Sequence, residues 1–501
     1  MTDKKPSKAS TPAKPTSPAK PGPSKDSKQT AGLTVKRSED FSAWYNEVVI
    51  KAGLADHTDI SGCMVIKPWG YALWEAIQGW LDSRFKATGH RNAYFPLFIP
   101  ERELKREAEH FAGFTPEVAW VERHEGDSER YALRPTSETI IYSIIKPWVR
   151  SWRDLPLLLN QWCNIVRWEV KATRLFLRTR EFLWQEGHTV HATNEEAEQE
   201  VMQQLALYKE LAESVLAVPV ISGRKSEREK FAGAATTTTI ESLMPDGKAL
   251  QLGTSHNLGQ HFTKAFDLKF TDKDEKERHP WSTSWGVSTR LLGAVVMAHG
   301  DDRGLVLPPA IAPYQAVIVP IVFDKEKESI LAAAKKLGSA LASTARVHVD
   351  DRDAYSAGWK FNEWELRGVP VRIELGPKDL AAKQAVLVRR DTGEKTIAKQ
   401  SELPAALQRL LAAIQRDLLA AARKRMDAAT TAVKTFAEFQ KAIEARKLVL
   451  ADWCAKPDCE DALKEATAAS SRAIPFEQPK PGSCFRCGEK ASVRAYFARA
   501  Y

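Results

Sequence analysis

Cysteine, long apolar runs and distributed charge are all scarce in this chain, and each scarcity excludes something. Six cysteines occur in 501 residues. Cys63 and Cys163 stand alone and the other four fall in the last 50 positions. That suits a reducing compartment with one metal site better than a secreted disulfide framework. No apolar run reaches the ~18 residues that a spanning helix needs, so no membrane span is expected. The net charge of +9 is local: residues 1–37 hold nine Lys or Arg against two Asp, leaving only +2 for the rest. Basicity therefore says nothing about whether the folded body meets nucleic acid. From Met1 to about Thr34 there is no aromatic residue, so the segment cannot bury enough surface to order itself and reads as a disordered basic tail. It lacks the apolar core of a secretory signal, and lysine and proline replace the amphipathic arginines of a mitochondrial presequence. A cytoplasmic protein is expected.

What is present begins with NIVRWEVKATRLFLRTREFLWQEGH, Asn164 to His188. It reads as a strand from Asn164 to Val170, a basic turn from Lys171 to Arg178, and a return strand from Glu181 to Gln185. Alternation places Arg167 and Glu169 on one face. Guanidinium forks suit phosphate oxygens, and an aromatic ring such as Phe182 suits a purine. An amphipathic hairpin with a solvated charged face fits the same pattern.

Upstream, Leu73, Trp74, Ile77, Trp80, Leu81 and Phe85 recur at helical spacing from Trp69 to Phe85, and Gly89 ends that helix. The helix reads as core or as an interface between copies. NAYFPLFIP follows as a strand whose Pro96 must sit at an edge. Arg134-Pro-Thr-Ser-Glu138 leads into a helix carrying Ile140, Ile141, Ile144 and Ile145. Thr136 or Ser137 can cap it, or Thr136 and Glu138 can face a pocket that takes a small ammonium group. Asn194 to Leu216 is a polar-faced helix, and Gly223 to Thr239 a loop feeding a strand. In LQLGTSHNLGQHF, Gln251, Thr254 and His256 flank Gly253 closely enough to wall a ligand. Ser288 and Arg290 open an apolar helix, where a buried arginine is costly unless it meets an anion.

From Tyr314 strands and helices alternate, which predicts a mixed or parallel sheet with covering helices. A long helix is expected from Leu403 to about Arg446. Beyond it, Cys454-x4-Cys459 and Cys484-x2-Cys487 supply two thiolate pairs for tetrahedral Zn²⁺. Free thiols at a vestigial site are the alternative.

Taken in this order, the segments resemble the class II aminoacyl-tRNA synthetases, and among them the prolyl-tRNA synthetases of archaeal and eukaryotic-like type, over roughly Phe41 to Tyr501. The helix and strand ending at Pro96 resemble motif 1, the dimer interface of that family. Arg167, Glu169, Arg178 and Phe182 match motif 2, and Gly286 to Arg290 matches motif 3. RPTSE resembles the family's proline-binding loop and QxxTSHxLGQ its second pocket segment. The resemblance implies ATP-dependent activation of proline and its transfer to the 3′ end of tRNA(Pro), with Mg²⁺ on the phosphates. Arg167 would be the catalytic residue, bridging the α-phosphate and the proline carboxylate. Glu169, Arg178, Gln251, Thr254 and Ser288 would complete the ATP site, with adenine between Phe182 and Arg290. Thr136, Glu138 and His256 would contact proline, with Trp184, Glu186 and His188 as walls. Phe361, Glu365 and Lys378 would meet anticodon bases. Relatives end in a tyrosine that reaches toward the active site, as Tyr501 would here. About 60 residues from His191 to Gln251 are too few for the editing domain of bacterial-type relatives, so discrimination would rest on pocket fit.

The expected fold is mixed α/β (α+β). It comprises the tail (1–37), an antiparallel-sheet catalytic domain (38–311), an α/β anticodon-binding domain (312–415), and a helix with a small zinc-binding-like domain (416–501). A homodimer is expected. A synthetase for threonine or histidine, or a paralogue reduced to a small-molecule ligase or regulatory module, are the rivals.

Overall fold

The computed structural model describes residues 32–110, 117–123, 126, 128–323 and 326–501. Most of the expected tail lies outside the described residues, but its last six positions sit on the body. The Thr34 backbone N–H donates to Glu47 at 2.9 Å, and Arg37 reaches the carbonyls of Gly300 and Met297 at 2.8 and 3.0 Å.

Helix α1 (Phe41–Lys51) begins at Asp40, whose carboxylate accepts from Ser42 and Ala43 N–H, satisfying donors that the first turn leaves open. Helix α2 (Pro68–Ala87) buries Leu73, Trp74, Ile77, Leu81 and Phe85, while Trp80 is only half-buried and lies under Arg84. The expected strand through Pro96 is broken in two. Arg91–Asn92 pairs with residues 159–160, and Phe98–Pro100 pairs with Tyr131–Leu133. Pro96 lies in the gap, having no N–H for a ladder.

Helix α3 (Glu138–Ile145) precedes β1 (Leu157–Val166) and β2 (Glu181–His191), an antiparallel pair in continuous register from Leu157↔Val190 to Val166↔Glu181. Helix α4 (Asn194–Glu210) starts at Thr193, which forms a reciprocal capping box with Glu196. Strands β3 (Ile221–Arg224), β4 (Thr236–Leu243), β5 (Lys248–Gly259) and β6 (Trp281–Ser288) follow, and α5 (Arg290–His299) leaves β6. The interval from His191 to Gln251 is thus filled by one helix and sheet strands. Apolar side chains of α1, α2, α5 and the sheet form one core around Trp74, Phe85 and Trp285.

The next unit is a five-stranded mixed sheet of β7 (Ala316–Pro320), β8 (Val347–Val349), β9 (Val371–Leu375), β10 (Gln384–Arg389) and β11 (Lys395–Lys399), in the order β8-β7-β9-β10-β11. Helices α6 (Lys327–Leu341) and α7 (Ala357–Leu366) lie between its early strands. Helix α8 (Leu403–Ala428) buries Leu403, Leu407, Leu411, Ile414 and Leu418 in this core. The boundary expected at 415/416 therefore falls inside a helix.

The long helix to Arg446 does not form. α8 stops at Ala428, and β12 (Thr430–Val433) and α9 (Phe436–Glu444) follow. Thr430, Thr431 and Val433 are β-branched, and Thr435 with Glu438 starts a new helix through a capping box. The remaining elements are β13 (Leu448–Trp453), α10 (Pro457–Thr467), β14 (Ser470–Ala473) and β15 (Val493–Ala500). The C-terminal unit is not a separate appendage. β15 pairs parallel with β5 through Arg499↔Ala249's neighbour Lys248 and Ala500↔Ala249, fusing both regions into one 11-stranded sheet in which the path β12-β13-β15-β5-β6-β2-β1 is continuous.

Candidate active site

The hairpin differs from its expected form. β1 begins seven residues earlier and ends at Val166, so Arg167 and Glu169 sit in a turn rather than on one strand face. The turn holds because Arg167 N–H donates to Arg180 O at 2.7 Å and Val170 N–H returns to Arg167 O. Arg167 is half-buried and Glu169 exposed. Farther along, Arg174 and Arg178 exchange backbone hydrogen bonds of 2.7 and 3.0 Å, leaving Arg178 exposed.

Two neighbouring cavities open on the sheet. The larger, about 240 Å³, is lined by Thr136, Glu138, Arg167, Trp184, Glu186, His188 and His256. The smaller, about 110 Å³, is lined by Phe182, Gln251, Thr254, Ser288 and Arg290, again with Arg167. Arg167, Trp184, Gln251, Thr254 and Gly286 belong to both walls. Glu169 and Arg178 line neither, because the turn carries them past the sheet edge.

Thr136 and Ser137 do not cap α3. No side chain caps that helix. The Thr136 hydroxyl donates to Glu138 and the Ser137 hydroxyl to Glu186, so both are committed to carboxylates of the cavity. Ile144, expected in the core, is half-buried.

Glu186 is 2 % exposed yet accepts from Gln161 at 2.7 Å and faces His188 Nε2 at 2.9 Å. Burial alone would raise its pKa, but the His188, Ser137 and Gln161 donors hold it below the ordinary carboxylate value. Burial likewise works against a charged His188, and Glu186 overrides it, raising the imidazole. His188 Nδ1 has no hydrogen-bond partner among the described residues and is open to a ligand. His256 goes the other way. Burial, with His188 and Lys225 nearby, lowers it to about 3, so it is neutral, and its Nδ1 lies 2.9 Å from Thr237 Oγ1.

Among the described residues the Arg167 guanidinium makes one hydrogen bond, Nε to Pro135 O at 3.3 Å, and it lies 5.4 Å from the Phe182 ring centroid. Burial lowers its pKa, countered by Glu169, Glu138 and Glu186. Burial and then Arg167 lower Arg290 to about 10. Two guanidiniums thus share a site in which the lining carboxylates among the described residues, Glu138, Glu186 and Glu229, are on the larger cavity's side, an arrangement that suits a polyanion.

Several wall residues escaped sequence reading. Glu229 and Phe231 come from the loop between β3 and β4, and the Phe231 ring lies 4.9 Å from that of His256. Trp285 lines the cavity while its indole packs in the core opposite Gly187, where any Cβ would fall 2.1 Å from the ring. The signal was that glycine on an otherwise bulky strand.

The four cysteines meet. The Sγ atoms of Cys454, Cys459, Cys484 and Cys487 lie within 4.8 Å of one another, with pairs at 3.9 and 3.8 Å. Four Zn–S bonds of about 2.3 Å in a tetrahedron place sulfurs roughly 3.8 Å apart, so the set fits zinc. Burial pushes the Cys484 thiol up, but N–H donors from Cys487 and Arg486 bring it to about 7.

The three residues expected at the anticodon are differently disposed. Phe361 packs in a small core with Arg372 4.2 Å from its centroid. Glu365 is paired with Arg303 at 2.6 Å, tying α7 to the segment after α5. Lys378 is exposed. Tyr501 donates its hydroxyl to Asp246 at 2.7 Å, and Arg174 of the hairpin turn lies 5.7 Å from its ring centroid. No helix among the described residues is long and apolar enough to cross a membrane.

Three protein-family models match the chain: the tRNA synthetase class II core domain (G, H, P, S and T) at residues 120–299, an anticodon binding domain at 315–410, and the prolyl-tRNA synthetase C-terminal domain at 436–501. The chain is similar to curated relatives named proline–tRNA ligase: 53 % identical to that of Alkaliphilus oremlandii over 95 % of this chain and 100 % of the relative, and 50 % identical to that of Natranaerobius thermophilus with the same coverage. It is 51 % identical, again over 95 % and 100 %, to proline–tRNA ligase 2 of Clostridioides difficile.

Proposed function

The chain belongs to the prolyl-tRNA synthetase family of class II, and from that premise we propose that the two joined cavities are where proline and ATP meet. The chain ligates proline to tRNA(Pro) through prolyl-adenylate. The observation that carries the residue assignment is that Arg167 belongs to both cavity walls. Adenylation joins a carboxylate to an α-phosphate, so the charge that builds at phosphorus appears at the junction of the two ligands. A guanidinium with one protein hydrogen bond is free to donate there.

The larger cavity takes proline. Its ammonium faces Glu138 and Glu186, and its ring sits among Trp184, Phe231 and neutral His256. His188, held charged by Glu186, offers Nδ1 as a donor. Thr136 fixes the rotamer of Glu138. The smaller cavity takes the nucleotide, with Gln251, Thr254 and Ser288 for polar contacts and Phe182 with Arg290 about the adenine. Glu169 supports Arg167 electrostatically from outside the cavity, and Arg178 would meet a phosphate only at its outer end. ATP and Mg²⁺ use goes with class II chemistry. Among the described residues no carboxylate lines the nucleotide-side cavity, so Mg²⁺ would enter on the phosphates, whose charge it would neutralise. Positioning and electrostatics carry the reaction, and no side chain is assigned as a nucleophile.

Zinc held by the four cysteines would be structural. Lys378 is the remaining candidate for anticodon contact, since Phe361 and Glu365 are committed within the protein. A homodimer is supported by the exposed aromatics Tyr94, Phe98 and Tyr131 around the segment that resembles motif 1, and a cytoplasmic location by the need to meet tRNA. ATP–pyrophosphate exchange with a panel of amino acids tests the assignment. Proline should drive exchange. Exchange with threonine and none with proline would overturn it.

A further inference from the structure

The loop that follows β3 walls the larger cavity with Glu229 and Phe231, and it is gripped from behind by the C-terminal unit. Ser226 and Ser471 both donate to Glu460 Oε1, at 3.0 and 2.6 Å, with all three residues buried. Lys225 Nζ lies 2.5 Å from Glu241 Oε1. Arg472, 6 % exposed, meets the same carboxylate through Nε at 3.2 Å and Nη2 at 3.0 Å. Its third nitrogen, Nη1, donates to Ser470 Oγ at 3.1 Å and lies 3.7 Å from Glu229 Oε2. One guanidinium from β14 therefore bridges a carboxylate behind the nucleotide strand, since Glu241 is the register partner of Gln251, to a carboxylate in the cavity wall.

The bridge has a defined cargo. The Glu229 N–H is held by Ser226 Oγ at 3.3 Å, and two residues on, Phe231 N–H donates to Thr237 Oγ1, the partner of His256. Lys225 also acts on Glu229 electrostatically, and Lys464 at 3.7 Å, 63 % exposed, holds it weakly. Arg472 is buried and Glu229 only 22 % exposed, so their attraction is screened less than that of a surface pair such as Lys464 with Glu229.

We propose that Arg472 is a positioning residue for amino-acid recognition, acting through Glu229 to hold the loop that carries Phe231 against His256. This rests on the reading that the larger cavity takes proline. A loop freed from the C-terminal unit must be ordered anew each time substrate binds, and that entropy cost falls on affinity rather than on the chemical step.

The test is ATP–pyrophosphate exchange kinetics on the full-length Arg472→Lys, Glu229→Gln and Ser226→Ala proteins, with melting temperature recorded for each. The KM for proline is expected to rise about five- to tenfold in all three, with kcat and the KM for ATP within about twofold. The Arg472→Lys/Glu229→Gln double variant should be no worse than the poorer single, since both cut one link. Arg228→Ala, which removes only an exposed pair with Asp461, should leave the KM for proline unchanged. Lower melting temperatures with an unaltered KM for proline, or additive effects in the double variant, overturn the proposal. Ser226→Ala decides the matter if Arg472→Lys does not fold. If exchange proves to need another amino acid, the cavity assignment fails, and the same comparison with that amino acid still judges the clamp.

Discussion

His188 Nε2 lies 2.9 Å from Glu186 Oε2, two residues away on the same strand, and each is 2 % exposed at the side chain. Strand alternation puts both on the cavity face, and mutual attraction keeps both charged where burial alone would neutralise them. The pair gives the proline-side cavity a fixed donor at Nδ1 without adding net charge.

Stability should follow that pair with pH. The raised imidazole contributes fully below its unfolded value of 6.5, and the contribution is lost as pH rises through its higher folded value. The depressed Glu186 contributes above its unfolded 4.5 and fails as pH falls through its lower folded value. His188→Gln should therefore cost most between those two values, about 3 kcal/mol, with the gap to wild type narrowing in alkali. Thermal unfolding across pH checks this, and a gap independent of pH would remove the ion pair as its cause.

Arg167→Ala should lower kcat for exchange by roughly 10²–10³-fold with little change in melting temperature, because the guanidinium has a single long bond to the protein. Circular dichroism and exchange rates together decide this. Undiminished turnover would dismiss Arg167 from the role.

Purified protein should carry one zinc per chain. Cys484→Ser should lose the metal and lower the melting temperature, since a site that exists only in the folded chain lends its binding energy to folding. Elemental analysis showing four titratable thiols and no metal would contradict the tetrahedral reading.

Gly187→Ala should destabilise by about 1–3 kcal/mol, because a Cβ would sit 2.1 Å from the Trp285 indole. Denaturant titration giving wild-type stability would mean that Trp285 has room the packing does not show.

Lys378→Ala should raise the KM for tRNA several-fold and leave exchange untouched. Glu365→Ala should instead lower the melting temperature, since its carboxylate is paired with Arg303 across two regions. Aminoacylation assays that found the opposite division would return Glu365 to the anticodon.

Much of the site was legible in the sequence because its residues lie close in sequence order on few elements. The return strand carries Phe182, Trp184, Glu186 and His188, and period-two alternation puts them on one face. Gln251, Thr254 and His256 lie on β5, where a register shift between Gln251 and Gly253 lets residues of mixed spacing share a wall. Alternation carried past Val166 places Glu169 on a strand face with Arg167, whereas Arg178 is a turn residue by sequence and in the structure alike. The hairpin's own turn, in which Val170 N–H folds back to Arg167 O, ends the strand early. The helix that stops at Ala428 ends on signals the sequence does carry, β-branched Thr430, Thr431 and Val433 pairing with β13 and a capping box at Thr435 and Glu438.

By itself the sequence determined which residues bring chemistry: two arginines for a polyanion, carboxylates for an ammonium, four thiols for a metal. Those follow from side-chain type and local spacing. Only the tertiary structure decided who holds them. Arg472 and Glu241 are 231 positions apart, and no local pattern links them. Their pairing arises because β15 joins β5 in one sheet, carrying a C-terminal arginine behind the active site, where burial makes its charge matter.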